Sequence, residues 1–155
     1  MPPKGGRIKT MANARDTRMV MIVDSEPAQQ RFLSALVARG GWRSIIAGDT
    51  DTALAKLGTQ EGMTLDAVLV DQGAPGMDIA EFVAELRRWR PALPLIVITM
   101  RNGVEIAVAS MRAGASDFVQ KPIAPDRLLG ALDRIVASNG PQSELRPLTE
   151  KLRAP

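Results

Sequence analysis

The sequence predicts an α/β fold, a doubly wound five-stranded parallel sheet with helices on both faces. Three observations carry this expectation. Short apolar runs and amphipathic segments alternate five times between Met19 and Ser138, the order that packs parallel strands between helices. The run Leu95–Thr99 is continuous and β-branched, as strands covered on both faces are. Several runs close on a polar residue and then a loop, as at Asp24 and at Asp71 before Gln72-Gly73-Ala74-Pro75-Gly76. Those are strand carboxyl ends, where open α/β sheets keep their ligands.

Each element can be justified in order. The first strand is Met19–Val23, and the first helix follows Pro27 with Phe32, Leu33, Leu36 and Val37 on one face, stopping at Gly40-Gly41. The second strand is Trp42–Ala47, and the second helix runs over about Thr52–Leu57 behind Asp49 or Asp51 as N-cap. Ala67–Val70 is the third strand. The third helix sets Ile79, Phe82, Val83 and Leu86 on one stripe and ends before Pro91. After Leu95–Thr99, the fourth helix places Val104, Ala107, Val108 and Met111 at the same spacing, with Gly114 as its C-cap. Asp117–Gln120 is a short fifth strand. The fifth helix, after Ala124-Pro125, buries Leu128, Leu129, Leu132, Ile135 and Val136.

Composition excludes whole classes of chemistry. The 155 residues include no cysteine and no histidine, which removes disulfides, thiolate sites, the commonest zinc ligand and a phosphohistidine donor role. No apolar run reaches the length of a membrane span or forms a signal peptide, so a cytoplasmic location is expected. Residues 1–18 carry five basic side chains against Asp16 alone, a net of +4 in a chain of net +3. The basicity therefore sits in that segment, expected to be a disordered tail, and the globular part is near neutral. Residues 19–138 are the expected domain, and residues 139–155 turn polar, as a tail or linker does.

The chemistry lies at the strand ends. Asp24 and Asp71, with the Thr99 hydroxyl and the Lys121 ammonium, come from four different strand tails and would converge on one pocket. Two carboxylates about 4 Å apart repel by roughly 4 kcal/mol at an effective dielectric near 20. A divalent metal turns that repulsion into binding and neutralises phosphoryl oxygens. A phosphatase with an aspartate nucleophile would want a second acid two residues on, where this chain has Gly73. A nucleotide-binding fold would want a glycine-rich turn after the first strand, where Asp24-Ser25-Glu26-Pro27 is acidic. Flavin binding would lack aromatic material to stack on.

Several strings taken together resemble the receiver domain of bacterial two-component response regulators. They are Val23-Asp24-Ser25-Glu26-Pro27, Val70-Asp71 with Pro75-Gly76-Met77-Asp78, Val97-Ile98-Thr99, and Ala113-Gly114-Ala115-Ser116-Asp117-Phe118 leading to Lys121-Pro122. The resemblance implies a flavodoxin-like sheet in the order 2-1-3-4-5. It implies that Asp71 accepts a phosphoryl group from the phosphohistidine of a sensor histidine kinase or phosphotransfer protein. Mg²⁺ would be held by Asp24, Asp71 and the backbone carbonyl of Gly73, with Ser25 or Glu26 as a further donor. Lys121, aimed by a cis bond to Pro122, would pair with the acceptor. Thr99 would bind the transferred group, and Phe118 would be the aromatic switch that couples it to the face of the fourth helix, fifth strand and fifth helix. That face is also where a homodimer would form. On this reading the domain is a signalling module and not an enzyme.

Three departures from the family's pattern stand out. Ser25 replaces the usual second acid, Ile79 replaces glycine after Asp78, and Met100 replaces a small residue after Thr99. Ser25 is the ground for an alternative, a pseudo-receiver used as a phosphorylation-independent interaction module. Residues 113–129 look like receivers that precede an ATPase module in enhancer-binding transcription regulators. The chain then reads as a single-domain regulator or as the receiver part of a longer protein, in which any DNA binding would belong to another domain.

Overall fold

The computed structural model describes residues 17–138, and the segments expected to be tails lie outside these apart from Thr17 and Arg18. Five strands form one parallel sheet: β1 (Arg18–Val23), β2 (Trp42–Ala47), β3 (Ala67–Asp71), β4 (Leu95–Thr99) and β5 (Asp117–Gln120). Their order across the sheet is β2-β1-β3-β4-β5, as expected. Five helices alternate with them: α1 (Pro27–Arg39), α2 (Thr50–Leu57), α3 (Ile79–Trp89), α4 (Val104–Ala113) and α5 (Pro125–Ser138).

The alternation of side chains along each strand divides the core into two layers. Val20, Ile22, Leu69, Ile96 and Ile98 face Leu33, Leu36, Val37, Leu128 and Leu132 of α1 and α5. Met21, Val23, Val68, Val70, Leu95 and Val97 face Ala53, Leu57, Phe82, Val83 and Leu86 of α2 and α3. Each fully buried side chain of this size contributes about 1.5–3 kcal/mol, so the two layers supply most of the driving force. Every residue of β3 and β4 is buried, which explains why their sequences read as continuous apolar runs and not as alternation.

The elements depart from the expected boundaries where capping decides them. β1 begins at Arg18, inside the stretch assigned to the tail. α2 begins at Thr50, because Asp49 is the cap and accepts from the Thr52 N–H at 2.6 Å. A further helical turn, Gln60–Met63, was not expected; Thr59 caps it through the Gly62 N–H. Phe32 does not join the buried face of α1 and is exposed.

The fourth helix differs most. Val104, Val108 and Met111 are 67%, 44% and 39% exposed, whereas Ala107 and Ser110 are buried. The apolar stripe read from the sequence is therefore turned mostly outward, and α4 sits on small residues.

Candidate functional site

Parallel register sets the strand ends side by side. Val23 is opposite Val70, Asp71 opposite Ile98, and Thr99 opposite Gln120. Asp24, Asp71, Thr99 and Lys121 therefore meet at one edge of the sheet, and the Lys121 N–H donates to the Thr99 carbonyl at 2.8 Å.

Asp71 is 7% exposed, and each of its oxygens has one polar neighbour. Its Oδ1 lies 2.8 Å from the Lys121 Nζ, and its Oδ2 accepts from the Gly73 N–H at 2.7 Å. A Cβ at position 73 would come within 3.1 Å of that same Oδ2, so glycine keeps the carboxylate uncrowded. The Lys121–Pro122 peptide is cis, as expected.

Asp24 is 4% exposed and only half satisfied. Its Oδ1 accepts from the Glu26 N–H at 2.9 Å, while its Oδ2 is buried without a hydrogen-bond partner. Burial pushes its carboxyl above the ordinary range, opposed by the Glu26 amide; Asp71 adds to the rise and Lys121 opposes it. Gln30 holds the backbone here, its Nε2 donating to the Asp24 carbonyl at 2.6 Å.

Asp24 is not the helix cap. That role falls to Glu26, whose Oε1 accepts from the Ala28 and Gln29 N–H groups at 3.0 and 3.4 Å. Glu26 is thus committed to α1, and Ser25 is exposed beside it.

The cleft over these groups has a volume of about 470 Å³ and includes Asp24, Ser25, Asp71, Gly73 and Lys121 in its lining. No group of three or more acidic side chains able to share a metal occurs among the described residues. What is present is a pair of carboxylates and the Gly73 carbonyl, hard oxygen donors that suit Mg²⁺. The unpartnered Asp24 Oδ2 fits the need for a cation there.

Thr99 is 1% exposed. It shares with half-buried Phe118 a second, apolar groove of about 360 Å³ that runs along Val104, Val108 and Met111.

Sequence reasoning missed the side chains that hold the loops. Thr50 is buried; its N–H donates to the Pro75 carbonyl at 3.0 Å, and its Oγ1 accepts from the Met77 N–H at 2.8 Å. This ties the loop after Asp71 to α2. Gly76 adopts φ +111° and has Thr50 Oγ1 where a Cβ would stand. Gln72 and Gln120 fasten the segment after Thr99. None of these stands out by periodicity; only the glycines beside them were visible as turn signals.

Strand order and the acid–lysine cluster at the sheet's carboxyl edge define a receiver-type signalling domain. The family model for the response regulator receiver domain matches residues 20–133, and the chain belongs to that family. It is 33% identical over 126 residues to the KDP operon transcriptional regulatory protein KdpE of Escherichia coli, covering 79% of this chain and 54% of that protein. It is 28% identical over 133 residues to the nitrogen assimilation regulatory protein NtrX of Azorhizobium caulinodans, covering 84% of this chain and 29% of that one. The crystal structure of the NtrX receiver domain from Brucella abortus superposes with a TM-score of 0.69 at 28% identity, covering 77% of this chain and 98% of that one. The chain spans about half the length, or less, of these two curated relatives. No helix among the described residues is long and apolar enough to cross a membrane.

Proposed function

We propose that residues 19–138 act as a phospho-accepting switch in a two-component relay, with Asp71 as the acceptor. The observation that carries this reading is the contact of Asp71 with Lys121 at 2.8 Å beside the unpartnered oxygen of Asp24. Asp71 attacks the phosphorus of a partner's phosphohistidine; the Oδ–P bond forms as the N–P bond breaks, and the imidazole leaves with the electron pair. Lys121 already neutralises the acceptor and afterwards pairs with the phosphoryl oxygens. Asp24, Asp71 and the Gly73 carbonyl would hold Mg²⁺, which shields the charge on the transferring group. The Thr99 hydroxyl then donates to a phosphoryl oxygen, and Phe118 turns toward the space it vacates.

The output surface is the face of α4, β5 and α5, which would also serve a homodimer. The donor is a sensor histidine kinase or phosphotransfer protein. Because the relatives are longer regulators of transcription by name, this receiver would control a further domain of such a protein. The test is intact mass after incubation with acetyl phosphate and Mg²⁺. One phosphate is expected on the wild type and none on Asp71→Asn. Uptake undiminished in the variant, or absent from the wild type, would overturn the assignment.

A further inference from the structure

The segment Met100–Gly103 links the Thr99 end of β4 to α4, and α4 starts there without a side-chain cap on Gly103. Two side-chain amides fasten it instead, one just past the end of β3 and one at the end of β5. Gln72 Oε1 accepts from the Met100 N–H at 2.8 Å, and Gln120 Nε2 donates to the Arg101 carbonyl. Gln72 directly follows Asp71, and Gln120 directly precedes Lys121. The fit is close. A Cβ at Gly103 would lie 2.7 Å from Gln72 Oε1 and 3.2 Å from the Met100 carbonyl, so glycine leaves the amide its place and a larger residue would displace it.

We propose that Gln72 and Gln120 form a latch that holds the β4–α4 segment, and with it Thr99 and α4, in the unphosphorylated arrangement. The proposal rests on Asp71 being the phospho-acceptor. Neither glutamine meets the phosphoryl group; both are positioning residues acting through the segment they hold. When Thr99 is drawn to a phosphoryl oxygen, Met100 must follow, and the bond to Gln72 resists that step. α4 buries only Ala107 and Ser110 as its own anchors, and Arg87 ties its C-cap through the Gly114 carbonyl, so these two amides are what fastens its N-terminal end. A partly solvated neutral hydrogen bond is weak in net terms, which suits a tie that must open. Cutting it should raise the population of the switched state and, by linkage, ease phosphorylation.

The test uses Gln72→Met and Gln120→Met in the full chain, since methionine keeps the length but lacks the amide. Amide chemical shifts of residues 100–113 are recorded without phosphodonor and compared with wild type free and bound to beryllofluoride. Uptake of phosphate from acetyl phosphate is followed in parallel. Both variants should move along the free-to-bound line, and uptake should quicken about threefold to tenfold, the factor for losing one such bond. A lower melting temperature with α4 shifts left at the free position and uptake unchanged would make the glutamines simple braces and overturn the latch. Slower uptake would overturn it as well. A wild type that takes up neither phosphate nor beryllofluoride would instead remove the acceptor reading, an outcome distinct from the other two.

Discussion

Helices α3 and α4 carry the same apolar spacing and are seated in opposite ways. In α3, Ile79, Phe82, Val83 and Leu86 fall at i, i+3, i+4 and i+7 and are all buried. In α4, Val104, Ala107, Val108 and Met111 have that spacing, yet only Ala107 is buried. α3 is further clamped by Arg87, whose guanidinium donates to the carbonyls of Gly114, Arg90 and Leu93 at 2.8, 3.0 and 2.6 Å. α4 shares in that clamp only at its C-cap, Gly114. A helix packed by large side chains is fixed by its core; one seated on alanine and serine has little burial to lose when it moves. The contrast separates the frame of the domain from the part able to respond.

The contrast breaks most visibly under truncation. Phe82→Ala should cost about 3–5 kcal/mol in urea unfolding, whereas Val108→Ala on α4 should change stability by less than about 0.5 kcal/mol. Equal losses would show that α4 is anchored like α3. Arg87→Met comes next, at about 2–3 kcal/mol, because it leaves several buried carbonyls unpaired. Burial holds this guanidinium below its ordinary pKa, yet a guanidinium keeps its proton at any working pH. The Arg87→Met loss should therefore be the same at pH 6 and pH 9 by thermal melts.

The frame was largely legible in the sequence and the seating of α4 was not. β3 and β4 announce themselves because burial on both faces demands an unbroken apolar run. α3 is legible because Glu81, Glu85 and Arg88 oppose its stripe and fix the phase of the pattern. On α4 periodicity gave the helix but not its orientation, since apolar residues at Val104, Val108 and Met111 and small ones at Ala107 and Ser110 define two stripes. Hydrophobicity favours the first, but close approach to the sheet favours the second. At the site, Asp24, Asp71, Thr99 and Lys121 were legible because each closes a strand. Thr50, Gln72 and Gln120 were not, because a loop's hydrogen-bond partner lies far along the chain, as in the 28-residue separation of Gln72 and Met100.

Three buried side-chain oxygens among the described residues lack a hydrogen-bond partner. Asp71 Oδ1 has the Lys121 ammonium at 2.8 Å, and the other two, Asp24 Oδ2 at the site and Ser110 Oγ on α4, sharpen the comparison. For Asp24 the sign follows from its raised pKa. The folded state holds the proton more tightly than the unfolded chain, so this stabilisation is complete below the unfolded value and lost as pH rises through the folded one. In chelator, Asp24→Asn should therefore melt higher than wild type at neutral pH. The gap should close as pH falls to the ordinary carboxylate range, and added Mg²⁺ should stabilise wild type alone. A variant that melts lower at neutral pH in chelator would contradict the strain inferred for this carboxylate.

Ser110 offers the smaller effect and the sharper test of how α4 is seated. Its hydroxyl is fully buried and unpaired, so it is desolvated without a compensating bond. Ser110→Ala removes that penalty without changing the space the helix occupies, and should stabilise the domain by about 1 kcal/mol. Ser110→Leu would force the helix off the surface it approaches so closely, at a cost of about 1–3 kcal/mol. The two signs together identify a close-fitting small residue. A leucine accepted without loss would mean that α4 already has room beneath it, and that the outward Val104, Val108 and Met111 could be buried by rotation at little cost. Urea unfolding of the two variants distinguishes these cases, because a repacked α4 would also change the surface exposed on unfolding and hence the slope of the transition.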